Sequence, residues 1–417
     1  MRVQTFARLL AVAFLIQSAS SWAGDGRHGH GDSAGKIELG PRPFYLVDGM
    51  QDGPLKRRLE QCAKGPFYRT DFSIGHRGAA LQFPEHTRES YEAGAKMGAG
   101  IVECDVTFTK DGELVCRHSE CDLHTTTNIV DTPLNAQCSV PWTGPNQSPA
   151  PKCCTSDLTL AQYRTLHGKM DARDPAATTA KGYLGGTASW RTDLYTGRGT
   201  LMSLRDSLAL NEAMGVKHTP ELKGGDADRI AQTFGSQALY ARKLIDELRA
   251  AGVRPRHVWL QSFDKRDILY WLQSAPEFGS QAVFLDSIDP TANPPVPRQT
   301  LDELRELYEA GVRYFAPPMP ALLGVDENGS VVPSAYAKDI KSVGLRIITW
   351  TFERADLRAG ASKAGFYYGF DPEGRAIRSD GDMYLALDVL ARDVGIDGIF
   401  SDWPATVTYY ANCMGLR

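Results

Sequence analysis

The chain has 417 residues, with 46 Lys and Arg against 50 Asp and Glu, a formal net charge of −4. A mildly acidic protein has no electrostatic pull toward nucleic acid or anionic membrane, so an anionic ligand would have to meet positive charge concentrated at its site. Eight cysteines without a CxxC pair fit disulfides in an oxidising compartment better than a zinc site.

The first residues read as an export signal. Arg2 and Arg8 precede the apolar run 9–16, and small residues at 18–21 lead to a cleavage position after Ala23. The run is too short to span a bilayer. Cleavage there leaves 394 residues and removes Arg2 and Arg8, taking the net charge to −6. A secreted or periplasmic protein is expected. Residues 24–36 are Gly-rich and polar and read as a solvated tail within an N-terminal extension, 24–70.

From Asp71 onward short β-type runs alternate with helical patterns. Candidate strands are 72–75, 100–106, 114–118, 217–222, 257–261, 281–285, 313–316, 345–350 and 397–401. Helical spacing occupies 228–251, 301–310 and 383–394. Such alternation predicts a parallel sheet with helical crossovers. The Lys110-Asp111-Gly112 turn is too tight for a parallel crossover, so 114–118 reads as a hairpin return or a strand lacking its helix. Eight strands then remain, enough for a TIM-type (β/α)8 barrel made of 71–118 and 217–417.

Residues 119–216 break the rhythm. These 98 residues hold Cys121, Cys138, Cys153 and Cys154 and a Pro-rich stretch. Without them the chain from Asp71 has 249 residues, close to the ~250 of a typical barrel of this type. They are expected to form a cap subdomain, poor in apolar periodicity and held by disulfides among those four cysteines. Cys62 and Cys413 lie near opposite ends of the folded region, which a closed barrel would bring together.

In such barrels chemistry gathers at the carboxyl ends of the strands. Those ends carry His76-Arg77-Gly78, Glu103 and Asp105, His118, Glu221 and Lys223, Gln261-Ser262-Phe263, Trp350-Thr351 and Asp402. Glu103 and Asp105, two apart on one strand, face the same way while Cys104 faces the other. Two inward carboxylates repel unless a cation or a shared proton joins them, and Glu221 could supply a third. Oxygen ligands suit Ca²⁺ or Mg²⁺; an ion-pair network with Arg77 and Lys223 would also satisfy them. His76 and His118 can each move a proton near neutral pH, as phosphodiester cleavage requires of a base and an acid. Arg77 and Lys223 would offset phosphate charge, and Trp350 is grouped with them as a substrate contact.

The order His76-Arg77-Gly78, Pro84-Glu85-His86-Thr87, Glu103-x-Asp105-Val106, Thr109-Lys110-Asp111-Gly112 and His118 resembles the N-terminal signature of the glycerophosphodiester phosphodiesterase family. Echoes continue through Pro220-Glu221-Leu222-Lys223, Ser262-Phe263-Asp264, Thr349-Trp350-Thr351 and the run Gly398 to Pro404. The resemblance implies a TIM-type barrel with a small domain inserted after the second histidine. It implies His76 and His118 as acid and base, and Glu103, Asp105 and Glu221 as ligands of one divalent ion, Ca²⁺ or Mg²⁺. The implied reaction hydrolyses glycerophosphodiesters such as glycerophosphocholine to glycerol 3-phosphate and an alcohol. A phospholipase D or phosphatidylinositol phospholipase C type of lipase is the alternative; it would need an apolar or basic membrane-facing loop, and the insertion has Trp142 and Trp190 but no basic run. One departure stands out. Ser119 follows His118 where the family has aspartate, leaving Glu120 or Asp122 as substitutes.

Overall fold

The computed structural model describes residues 36–416 except 194, 290, 291, 293 and 294. The expected export signal, and the polar tail up to residue 35, lie outside the described residues.

Nine strands form the main sheet: β1 (Thr70–Gly75), β2 (Ala99–Phe108), β3 (Leu114–Cys116), β4 (Lys217–Leu222), β5 (Gln261–Ser262), β6 (Val283–Leu285), β7 (Tyr314–Ala316), β8 (Arg346–Phe352) and β9 (Gly398–Ser401). Eight of them pair in parallel in the order β1–β2–β4–β5–β6–β7–β8–β9, and β9 returns to β1, closing the barrel. Strand β3 is the hairpin return. It runs antiparallel to β2, with Val106 opposite Cys116 and Phe108 opposite Leu114. The turn is possible because Gly112 takes φ +75°, a conformation glycine adopts at no steric cost.

The pleat of β2 shows how the layers arise. Ile101 joins Ile74, Leu285, Ile348 and Phe400 in the barrel's interior cluster, whereas Val102, Cys104, Val106 and Phe108 join the cluster packed under the helices. Glu103 and Asp105 therefore stand above Ile101 on the inner wall.

Three elements differ from the sequence expectation. The helix expected over 228–251 is two, Ala227–Phe234 and Gln237–Ala250. Gly235 at φ +90° ends the first, and the Ser236 side chain caps the second by accepting the Leu239 N–H. Residues 383–394 are α-helical only to Asp388 and continue as a π-turn over Val389–Val394. The strand expected at 257–261 begins later, because Pro255–His257 is a 3₁₀ turn.

The segment between β3 and β4 has more of a core than its sequence predicts. Leu123, Ile129, Tyr163, Leu166 and Tyr183 are buried together with Val115 of β3. Their spacing is irregular because they sit on 3₁₀ and single-turn helices or, as Leu166, on the bend that follows one, and these have no long period to display. The last part of the segment is barrel material: parallel β2 and β4 need a crossover, and the helix Leu204–Met214 supplies it. A Ser203–Asp206 capping box starts that helix and Gly215 at φ +67° ends it, while Leu204 and Leu208 enter the main core.

Ahead of β1, the helices Arg42–Asp48 and Pro54–Cys62 bury Leu46, Val47 and Leu59 in the main core. Cys62 is bonded to Cys413 of the last helix, Pro404–Met414. The other disulfides are Cys104–Cys116, Cys121–Cys154 and Cys138–Cys153, and no described cysteine is free. Two of these lie within the four-cysteine segment, whereas Cys104–Cys116 joins β2 to β3. No described helix is long and apolar enough to cross a membrane.

Candidate active site

At the carboxyl ends of the strands lies a cavity of about 320 Å³. All eight residues singled out from sequence line it: His76, Arg77, Glu103, Asp105, His118, Glu221, Lys223 and Trp350. A larger cleft of about 600 Å³ adjoins it and shares Glu221, Lys223 and Phe263.

His76 and Arg77 follow β1 directly. The turn they make is tight: Arg77 has φ +54°, and a Cβ on Gly78 would come within 2.6 Å of the Ser90 carbonyl carbon, so only glycine fits there. The Arg77 N–H donates to Glu103 Oε2 at 3.0 Å, and its guanidinium meets Glu85 Oε2 at 2.7 Å and Asp105 Oδ2 at 3.5 Å. The second carboxylate oxygen of Glu103 accepts from Gln261 Nε2 at 3.2 Å. His86, also in a left-handed conformation, places Nε2 2.8 Å from Asp105 Oδ2 and Nδ1 3.1 Å from the Tyr91 hydroxyl.

One oxygen from each of Glu103, Asp105 and Glu221 lies within 4.8 Å of the others, and all three residues are buried. Burial, then Asp105 and Glu221, push the Glu103 carboxyl well above its usual range. Burial also lifts Glu221 to about 7, against the opposing pull of Lys223, whose Nζ is 2.6 Å away. Asp105 Oδ1 is buried with no hydrogen-bond partner. Three converging carboxylates with an unpartnered oxygen are a hard-oxygen donor set that a divalent cation such as Ca²⁺ or Mg²⁺ would fit.

The two histidines are held differently. His76 Nδ1 is 2.5 Å from Asp402 Oδ1, leaving Nε2 toward Glu103 Oε2 at 3.8 Å. Burial and the Arg77 charge lower His76 to about 4, partly offset by Asp402. Although burial opposes it, Arg354 and His76 hold Asp402 down at about 2, and Arg354 donates to Asp402 Oδ2 at 2.9 Å. Asp402 therefore accepts, which puts the ring proton on Nδ1. His118 borders the cavity without any such partner; burial, Arg77 and Lys223 hold it well below its usual range.

Neither substitute for the family's missing aspartate enters the cavity. Asp122 accepts the Ser119 N–H at 3.0 Å, and Glu120 turns away to Ser156, Arg229 and the Asp226 N–H. The sequence sets Asp402 and Gln261 at strand ends but gives neither a role, and nothing in it marks Arg354. Arg354 follows β8 on an irregular loop, where no periodicity marks it.

The profile of the Glycerophosphoryl diester phosphodiesterase family matches residues 76–406. A protein of Arthroderma benhamiae named "Extracellular protein" is 42% identical over 249 residues, covering 59% of this chain and all of that one. Glycerophosphodiester phosphodiesterase GDPD6 of Arabidopsis thaliana is 21% identical over 385 residues, 88% of this chain and 91% of its own. A solved structure from Silicibacter pomeroyi, titled as a glycerophosphoryl diester phosphodiesterase, shares the fold at a TM-score of 0.55 and 20% identity, over 84% of this chain and 96% of that one. The profile takes in most of the chain, and the chain belongs to the glycerophosphoryl diester phosphodiesterase family of enzymes.

Proposed function

We propose that this protein is an exported, metal-dependent hydrolase of glycerophosphodiesters, releasing sn-glycerol 3-phosphate and an alcohol. The observation that carries the reading is the convergence of Glu103, Asp105 and Glu221 to within 4.8 Å beside His76 and His118. A divalent ion on the three carboxylates would lend positive charge to the phosphate oxygens. The remaining steps belong to the chain's own side chains. Arg77 and Lys223 bind the phosphodiester anion, and Trp350, whose Nε1 donates to the Ala316 carbonyl at 2.9 Å, is a fixed wall against the substrate. His76, protonated on Nδ1, presents a basic Nε2 that takes the proton of the attacking hydroxyl as the new P–O bond forms. His118 gives a proton to the departing alkoxide as the old P–O bond breaks. Burial and then the Arg77 and Lys223 charges keep His118 neutral, and a phosphodiester between the three offsets the cationic part of that effect. The attacking hydroxyl is that of water, giving glycerol 3-phosphate directly, or the substrate's own 2-hydroxyl, giving a cyclic phosphate that water then opens to glycerol 3-phosphate with the two histidines exchanging roles.

Export is supported by the four disulfides and by the name of the Arthroderma relative.

The test is to strip the protein with chelator and assay glycerophosphocholine and phosphatidylcholine, with Ca²⁺ or Mg²⁺ restored. Metal-restored release of glycerol 3-phosphate and choline from glycerophosphocholine is expected. Cleavage of phosphatidylcholine alone, or full activity without metal, would overturn the reading.

A further inference from the structure

His118 sits inside a segment tied covalently at both ends. Cys116, two residues before it, is bonded to Cys104, and Cys121, three residues after it, is bonded to Cys154. Only Arg117, His118, Ser119 and Glu120 lie between the two anchors. Cys104 itself stands between Glu103 and Asp105 on β2, its side chain on the outer face and theirs on the inner one. The first disulfide thus joins the histidine's segment to the strand that carries two of the three carboxylates.

Little else fixes the histidine directly. Its ring and its main chain make no hydrogen bond to any described residue, whereas the ring of His76 is gripped by Asp402. Strand β3 ends at Cys116, so His118 lies beyond the ladder. Non-covalent anchors flank it: the Arg117 N–H donates to the Asp105 carbonyl at 2.8 Å and its buried guanidinium to the Glu85 and Cys116 carbonyls, the Ser119 N–H donates to Asp122, and the Glu120 carbonyl accepts from the Thr155 N–H. A side chain with no partner of its own goes where its backbone goes. For a four-residue segment that placement depends on the two covalent ends together with the hydrogen bonds of the residues beside it.

We propose that the Cys104–Cys116 and Cys121–Cys154 disulfides are positioning elements for His118, holding it in register with the carboxylates of β2. The inference rests on the role given to His118 above. The other two disulfides do not bracket it, and Cys62–Cys413 joins two helices outside the strands that carry the site, so it provides an internal control.

The experiment compares Cys104→Ala/Cys116→Ala, Cys121→Ala/Cys154→Ala and Cys62→Ala/Cys413→Ala as metal-loaded full-length proteins. Turnover of glycerophosphocholine is measured well below each variant's own melting temperature. Each of the first two pairs should lower kcat about ten-fold or more, since misplacing a reacting group by an ångström can cost about 10²-fold, while KM changes little. The control should lose thermal stability only. Placed on His118→Ala, removal of either bracketing disulfide should add no further loss, and crystal structures of the two variants should show His118 displaced. Folded variants that keep wild-type kcat, with His118 in place, would overturn the proposal. If a bracketing variant does not fold, the other decides. If neither folds, the native protein is opened stepwise by reductant, with the broken bonds mapped by mass spectrometry; unchanged turnover once both bonds are open overturns it. A His118→Ala protein of wild-type rate would instead sink the role of His118 itself.

Discussion

Asp402 Oδ1 lies 2.5 Å from His76 Nδ1, across 326 residues of sequence, and joins the last barrel strand to the first. Arg354 on the far side of the carboxylate keeps it ionised, so it can only accept. The contact thereby selects both the tautomer and the direction of His76.

Asp402→Asn tests this relationship. The amide preserves the shape but can donate to Nδ1, favouring the tautomer with the proton on Nε2. A fall in kcat of about 10²- to 10⁴-fold with little change in KM is expected. Steady-state kinetics near wild-type values would mean that Asp402 does not orient the base.

The same histidine makes stability depend on pH. Its folded pKa, about 4, lies below the ordinary 6.5, so the native state binds fewer protons than the unfolded chain between those values. Its contribution is fully present above pH ~6.5 and is lost as the pH falls toward ~4, by about 3 kcal/mol. In His76→Asn the amide can still donate to Asp402 but cannot titrate. Urea unfolding of metal-free protein from pH 7 to pH 4 should give a flatter curve for the variant; parallel curves would contradict the assignment.

Glu103→Gln, Asp105→Asn and Glu221→Gln each remove a charged oxygen from the cluster. Each should weaken divalent-metal binding in calorimetry and lower activity, with partial recovery at high metal concentration. A crystal soaked in Ca²⁺ that holds no ion among these three side chains would rule the site out.

If His118 protonates the leaving alkoxide, its importance should depend on the leaving group. His118→Ala should lose about 10²- to 10⁴-fold on glycerophosphocholine. It should lose much less on bis(4-nitrophenyl) phosphate, whose phenolate departs without a proton. Equal losses on both would assign His118 another task.

Cys62–Cys413 closes a sequence separation of 351 residues and lines no part of the cavity. Its removal should cost about 2–5 kcal/mol in chemical denaturation and leave kcat unchanged. A drop in kcat would show that the terminal helices communicate with the site.

The barrel and the eight cavity residues were legible in the sequence because both rest on short-range order. Strand-end position follows from period-two alternation, as Glu103 and Asp105 illustrate, and the Asp111-Gly112 turn left a hairpin return or a strand lacking its helix, which the antiparallel β2–β3 pairing decides. Tertiary structure decided what depends on distant partners. Arg354 meets Asp402 across 48 residues, and His86 reaches Asp105 from a loop on which nothing periodic distinguishes it. The sequence grouped the four cysteines of the segment and set Cys62 near Cys413, but spacing does not say which Sγ atoms meet. Only the closed barrel brings Cys62 to Cys413, and only the β2–β3 register brings Cys104 to Cys116. The core of the inserted segment stayed hidden for a related reason. Its apolar residues lie on turns too short to show a period, and they become a cluster only when packed against Val115.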